Sequence, residues 1–149
     1  MRTSHVLLAG TVALAGGILA GCDQPPPSIT AFSGSDSVRS PALCWAFDTG
    51  ALTSGQCARE IISGEQIGDA PQLPVGAGNV VGISVDTAIA EAGWIPAIAG
   101  QRLVETPITD TYFRFTFPSA QLPEQGVGLQ VLAGSSQELK GVWAVRLVN

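Results

Sequence analysis

The sequence has very few of the residues on which most catalytic and metal sites depend. Its 149 residues include one histidine, one methionine and one lysine, and only 13% of them are charged. A strongly basic surface is absent, which argues against a nucleic-acid binder. The hydrophobic share of 46% and the modest net charge of −5 exclude disorder over most of the chain. The length fits one domain.

The first 22 residues have the features of a bacterial lipoprotein signal. Arg2 supplies a positive charge, and residues 6–20 form an uncharged stretch of apolar and small residues. This stretch is shorter than the roughly 20 residues of a membrane-spanning helix, and it fits a secretory signal peptide better. The Leu-Ala-Gly-Cys sequence of residues 19–22 resembles the lipobox, in which the cysteine thiol is joined to diacylglycerol and the chain is cut just before it. The alternative is an ordinary secreted protein with a free Cys22.

Cleavage before Cys22 changes what the working protein contains. Removing residues 1–21 leaves 128 of the 149 residues, and the loss of Arg2 takes the net charge from −5 to −6. Met1 and His5 are removed as well, so the mature chain holds neither methionine nor histidine. This excludes Ser-His-Asp and Cys-His catalysis and histidine metal ligands. It also argues against copper, which favours imidazole and thioether ligands, so we expect no metal and no cofactor.

One lysine and scattered carboxylates are the remaining candidates for catalysis. Lys140 is the only base available to a Ser-Lys mechanism, and it lies in a predicted turn at residues 137–141, where a solvated lysine is the usual outcome. Six aspartates and six glutamates are spread singly along the chain, as is typical of a solvated acidic surface. Two of them facing each other across a cleft would still suffice for acid–base hydrolysis of a glycan. The Gly-Ala-Gly-Asn sequence of residues 76–79 precedes a predicted strand and indicates a turn rather than a phosphate loop.

Cys44 and Cys57 are the two cysteines that remain once Cys22 carries lipid. Because their number is even and the protein is exported to an oxidising space, we expect a disulfide between them. The alternative is a pair of reduced, buried thiols. Their separation is far from that of a Cys-x-x-Cys motif, which argues against a thioredoxin-type redox role. We expect the bond to staple a local hairpin and to contribute about 3 kcal/mol to stability.

The chain divides into three regions. Residues 1–21 are the signal peptide, residues 22–28 are the lipidated cysteine with a proline-rich spacer, and residues 29–149 are the folded domain. An extended spacer of this length keeps the domain only about 20 Å from the membrane surface. Because an acidic domain is repelled by an anionic membrane surface, the lipid has to provide the anchoring.

Alternation of apolar and polar residues predicts an all-β domain. Strands are predicted at residues 28–33, 41–47, 57–62, 80–85, 94–104, 112–117, 127–133 and 142–148. One short helix is predicted between Asp86, as its cap, and Gly93, as its end. About seven or eight short strands with one short helix predict an immunoglobulin-like β-sandwich.

The tryptophans are predicted to lie in the core rather than to form a carbohydrate platform. Trp45 and Trp143 alternate in phase with apolar neighbours, and Trp94 begins a strand. In residues 112–117, phenylalanines alternate with polar side chains. Tyr112 and Arg114 therefore lie on an outward face and are the candidate surface-contact residues; the alternative is that they are ordinary solvated cross-strand residues.

Several segments, spread over nearly the whole mature chain, together resemble a known family. They are Pro-Ser-Ile-Thr-Ala-Phe at 27–32, Cys44 and Cys57 around a variable loop, Leu-Pro-Val at 73–75, Val-Asp-Thr-Ala-Ile-Ala at 85–90 running to Trp94, and Gly-Val-Trp-Ala-Val-Arg-Leu at 141–147. In this order they resemble the uncharacterised small lipoproteins of actinobacteria, a family built on a domain of unknown function. The resemblance implies an envelope location and an exported β domain, and it supplies no catalytic residues.

The sequence thus predicts a non-enzymatic lipoprotein, anchored to the extracytoplasmic face of the cell membrane through Cys22. Its partners would be the membrane and an unknown envelope protein or glycan, without nucleic acid. One alternative is a small carboxylate-dependent hydrolase that acts on envelope glycans. A second is a purely structural protein or an inhibitor.

Overall fold

The computed structural model describes residues 24–47, 50–118, 122–135 and 137–149. The predicted signal peptide and Cys22 lie outside these residues. The described elements are, in chain order, β1 (Ile29–Ser33), β2 (Asp36–Ser40), β3 (Cys44–Trp45), α1 (Arg59–Ser63), β4 (Gln72–Pro74), β5 (Val80–Val85), α2 (Thr87–Ala92), β6 (Trp94–Ile98), β7 (Gln101–Arg102), β8 (Tyr112–Thr116), β9 (Val127–Gly134) and β10 (Leu139–Val148).

The strands form two sheets that pack face to face. The first sheet has the order β2-β1-β5-β8, with antiparallel neighbours throughout. The second has the order β3-β10-β9-β6-β7, and β4 runs parallel to the end of β10 on the edge that β3 occupies near its start. This arrangement confirms the predicted all-β sandwich, with more strands than predicted and a second short helix. The immunoglobulin-like strand order stays a prediction.

The core between the sheets follows from the alternation that predicted the strands. Side chains that point inward from β5, β9 and β10 are buried: Val81, Ile83, Val85, Leu129, Val131, Ala133, Trp143, Val145 and Leu147. Trp94 and Trp143 have no exposed surface, whereas Trp45 is only half-buried at the margin of this core. The prediction that the tryptophans belong to the core is therefore confirmed for Trp94 and Trp143, and Trp45 lies at its margin.

The outer face of the second sheet is covered by the segment that contains α1. Ile67 and Ala70 pack on Ala144, which points outward from β10. Gln130 on β9 is also buried, and its side-chain nitrogen donates a hydrogen bond to the carbonyl of Ile61 in α1. Because β10 is buried on both faces, its sequence is apolar at nearly every position rather than at alternate ones.

The predicted strand at residues 57–62 is wrong, because α1 occupies Arg59–Ser63. Arg59 and Glu60 are good helix formers, and the two isoleucines that follow are too short a run to distinguish a strand from a helix. Gly64 ends the helix in the left-handed region, at φ 81°, and its N–H donates to the carbonyl of Ile61.

The predicted strand at residues 41–47 shrinks to Cys44–Trp45. Phe47, at the end of the predicted strand, is 63% exposed. Pairing with β10 covers only Gly141 and Val142. The alternation of apolar and polar residues therefore extends further along the sequence than the two residues that pair with β10.

β2 and the turn between β6 and β7 were not predicted, because alternation of apolar and polar residues marks neither of them. β2 (Asp36–Ser40) is polar because it is an edge strand, formed by the tight turn at Gly34 that pairs it with β1. The single strand predicted at residues 94–104 is a hairpin of β6 and β7. It turns at Ala99 and Gly100, which both have positive φ, as a two-residue hairpin turn of type I′ requires.

Candidate functional site

The described chain begins at Gln24, and Pro27 and Ser28 are held firmly against the domain. The indole N–H of Trp143 donates to the Pro27 carbonyl at 2.8 Å. The Ser28 amide donates to Asp86 Oδ2 at 2.7 Å, and the Ser28 hydroxyl donates to the same oxygen at 3.1 Å. We call these contacts, together with the bond that Arg39 Nε donates to the Ser28 hydroxyl at 2.8 Å, the N-terminal clamp.

Asp86 plays a different part from the one predicted. It does stand at the N-cap position of α2, but its side chain makes no capping hydrogen bond. Its carboxylate instead receives the N–H and O–H of Ser28, and its own N–H donates to the Ser28 carbonyl at 3.2 Å. Charge-assisted hydrogen bonds of this kind are stronger than neutral ones. The start of β1 is therefore tied to the end of β5 through Asp86.

A surface cavity of about 440 Å³ lies beside the N-terminal clamp. Prolines of the spacer line it, together with Trp45, Phe47 and Lys140. Lys140 was predicted in a turn, but it lies on β10, with its ammonium 5.4 Å from the centre of the Trp45 ring. This contact gives Lys140 a structural partner, since a cation over an indole face is attracted to it.

Tyr112 and Arg114 lie on β8 with exposed side chains, as predicted. The register places them in two neighbouring rows that cross the first sheet. One row runs Arg39, Thr30, Ser84, Tyr112, and the next runs Ser37, Phe32, Gly82, Arg114. With Val80 and Thr116, which form the following pair, these ten residues make up what we call the open face of the first sheet.

Phe32 and Gly82 shape the middle of the open face, and neither was predicted as a site residue. A β-carbon at Gly82 would overlap the Phe32 ring, so the absence of a side chain there lets the ring lie across β5. The Phe32 ring is also stacked with that of Tyr112, with centroids 6.0 Å apart and planes within 11°. An aromatic ring that covers a cross-strand glycine is a known device of β-sheets. Gly82 inside a strand was the available signal, since such a glycine often marks a close approach.

The open face carries charged and hydroxyl-bearing side chains. The full chain has twelve acidic and seven basic residues. The open face carries Arg39 and Arg114, and the Asp86 carboxylate borders it beside Arg39, because both side chains bind the Ser28 hydroxyl. Four of its other residues present hydroxyls: Thr30, Ser37, Ser84 and Thr116.

Cys44 and Cys57 form a disulfide, with their α-carbons 5.6 Å apart. The prediction of the bond is confirmed, but its surroundings differ from those expected. It joins β3 to the residues just before α1 rather than stapling two strands of a hairpin. It therefore fixes the start of the segment that covers the second sheet.

Two carboxylates share one cavity, which bears on the predicted hydrolase alternative. Asp69 and Glu124 line a cavity of about 460 Å³ together with Arg146. The guanidinium of Arg146 donates to the carbonyls of Gly68 and Gln125, both at 3.1 Å, so it ties the two loops together. Both carboxylates are solvent-exposed, whereas the proton donor of a glycosidase is usually kept protonated by an apolar surrounding.

The described residues contain neither a cluster of metal-ligating side chains nor a membrane-spanning helix. No three His, Cys, Asp or Glu side chains among them gather as a metal site would need. No helix in the described ranges has both the length and the apolar character needed to cross a membrane. No family model, curated protein or solved structure matches the chain, and the resemblance to the actinobacterial lipoproteins stays a prediction.

Proposed function

We propose that this chain is a lipid-anchored protein of the extracytoplasmic face of the cell membrane, and that its β-sandwich is a non-enzymatic binding module. The lipobox at residues 19–22 supports the anchor, and the N-terminal clamp is the structural observation that carries the proposal. Pro27 lies five residues after Cys22, and an extended chain spans at most about 3.6 Å per residue. A lipid on Cys22 would therefore lie within roughly 18 Å of the clamp.

The N-terminal clamp fixes the end of the short spacer against the domain. A flexible linker would let the domain turn freely, but here Pro27 and Ser28 are held by a buried indole and a carboxylate. The point at which the chain leaves the domain is thereby fixed. A lipid at Cys22 would hold one end of the sandwich toward the membrane and leave the open face of the first sheet available to a partner.

Incorporation of radiolabelled palmitate into the chain, expressed in a bacterium that processes lipoproteins, tests the anchor. We expect the wild type to be labelled and to sediment with the membranes. Cys22→Ala is expected to lose the label, because it lacks the thiol to which the lipid is joined.

The double variant Cys44→Ala/Cys57→Ala is the matched control for that experiment. It removes the two other cysteines and leaves Cys22 in place, so it is expected to keep the label. Equal labelling of the wild type and Cys22→Ala would show that the anchor proposal is wrong. Loss of label in the double variant alone would place the lipid elsewhere and contradict it as well.

The hydrolase alternative is favoured only by the shared cavity of Asp69 and Glu124. We expect the purified protein to release no reducing ends from cell-wall glycan. An exposed carboxyl group lacks the apolar surrounding that keeps the proton donor of a glycosidase protonated. Colorimetric measurement of reducing ends over time checks this. Release that disappears in both Asp69→Asn and Glu124→Gln would establish the hydrolase and refute the non-enzymatic proposal.

A further inference from the structure

The cavity beside the N-terminal clamp is bordered by the part of the chain that leads to the lipid. Residues 24–27 of the spacer all line its volume of about 440 Å³. Only one residue, Asp23, separates Gln24 from Cys22. Because two residues of extended chain span at most about 7 Å, the α-carbon of a lipidated Cys22 would lie within that distance of Gln24.

The polar layer of a bilayer is thick enough to reach this cavity. The headgroup region of one leaflet extends about 5–7 Å beyond the hydrocarbon core. The glycerol to which the Cys22 thiol would be joined lies at the inner boundary of that region. Because Gln24 follows within about 7 Å, the cavity wall that it forms would lie among the lipid headgroups or directly against them.

Two aromatic side chains and a lysine line the same cavity. Phe47 is 63% exposed, more than any other large apolar side chain in the described ranges. Trp45 is half-buried, and the Lys140 ammonium lies 5.4 Å from the centre of its ring. A membrane interface suits this set, because it buries aromatic rings at headgroup depth and lets a lysine keep its charged end in the polar layer.

The charge of the cavity does not determine what covers it. Arg39 and Lys140 line the cavity, but so does Asp86, and Arg39 and Asp86 both bind the Ser28 hydroxyl. The position of the spacer selects the bilayer instead. Residues 24–27 border this cavity, and the N-terminal clamp holds the end of the spacer in place there.

We propose that the lipid bilayer covers this cavity, with the Phe47 ring inserted into the membrane interface and Trp45 and Lys140 at the level of the headgroups. This inference rests on the proposed function, because it needs the lipid at Cys22. The domain would then be held at two points, the lipid and Phe47. A single point leaves the sandwich free to turn about its tether, whereas two points limit its orientation on the membrane.

Quenching of tryptophan emission by brominated lipid tests the proposal. The full chain is expressed with radiolabelled palmitate in a bacterium that processes lipoproteins, then reconstituted into vesicles of ordinary or acyl-brominated phosphatidylcholine. Bromine quenches only indoles that come close to it, and Trp94 and Trp143 have no exposed surface. We expect the brominated vesicles to lower the emission of the wild type. Trp45→Phe is expected to remove at least half of that quenching.

Phe47→Ala and Val80→Ala form a matched pair of variants. Each removes an exposed apolar side chain, 63% exposed in Phe47 and 50% in Val80. Val80 begins β5, about 17 Å along the strand from Val85, which precedes Asp86 of the N-terminal clamp. We expect Phe47→Ala to at least halve the quenching and Val80→Ala to leave it unchanged. Far-ultraviolet circular dichroism establishes that each variant is folded.

A palmitate-labelled wild type with equal emission in both kinds of vesicle would overturn the proposal, since a second copy or a partner protein would then be what covers Phe47. Quenching that Trp45→Phe leaves unchanged, or that Phe47→Ala and Val80→Ala reduce equally, would place the contact elsewhere and overturn it as well. A chain without palmitate would contradict the anchor at Cys22 and remove the tether. The label therefore distinguishes a failure of this inference from a failure of the proposed function.

Discussion

Replacing Trp143 with alanine is expected to lower the free energy of unfolding by about 3–5 kcal/mol. The Trp143 side chain has no exposed surface and lies between the sheets. Its ring packs against that of Trp45, with centroids 5.6 Å apart, and its N–H donates to the Pro27 carbonyl. Alanine removes the packing, leaves a cavity and breaks the N-terminal clamp at once. Urea unfolding followed by far-ultraviolet circular dichroism measures the loss.

Two matched variants separate these contributions. Trp143→Phe keeps most of the volume but removes the hydrogen bond to Pro27, and we expect a cost of about 1–2 kcal/mol. Trp45→Ala removes an indole that is only half-buried, so we expect a clearly smaller cost than that of Trp143→Ala. Equal costs for Trp45→Ala and Trp143→Ala would contradict the difference in burial between the two indoles.

Strand prediction succeeded where the side chains on one face of a strand meet the core and those on the other face are exposed. β5 and β8 were predicted because the apolar side chains on one face of each strand meet the core, while the other face belongs to the open face. β2 was missed because it is polar along most of its length, and its pairing is set by the turn at Gly34 rather than by burial. Local alternation carries no information about such an edge strand.

The candidate site was predictable only where a single strand determines it. Alternation along β8 was enough to place Tyr112 and Arg114 on the outside. The ring of Phe32 over Gly82 depends on the register between β1 and β5, which lie 50 residues apart in sequence. The N-terminal clamp likewise joins Ser28 to Asp86, which are 58 residues apart. The sequence offered a simpler role for Asp86, as a helix cap, and gave no sign of its distant partner.

Removing the disulfide with Cys44→Ala/Cys57→Ala is expected to lower the free energy of unfolding by about 3 kcal/mol. The two cysteines are 13 residues apart, and opening that loop gives the unfolded chain more freedom. Because Cys57 lies just before α1, we also expect faster amide exchange in residues 58–70, the segment that covers the second sheet. Urea unfolding and hydrogen–deuterium exchange measure the two effects.

Reduction provides an independent control, because dithiothreitol should reproduce the effect in the wild type and leave the double variant unchanged. The location of any faster exchange then distinguishes two roles for the bond. Exchange confined to residues 58–70 would mean that the disulfide acts mainly by fixing the α1 segment against Gln130 and Ala144. An equal rise throughout β5 and β8 would mean that it supports the whole sandwich. A wild type whose unfolding midpoint does not respond to reduction would contradict the predicted contribution, since the loop-closure entropy would then be offset elsewhere.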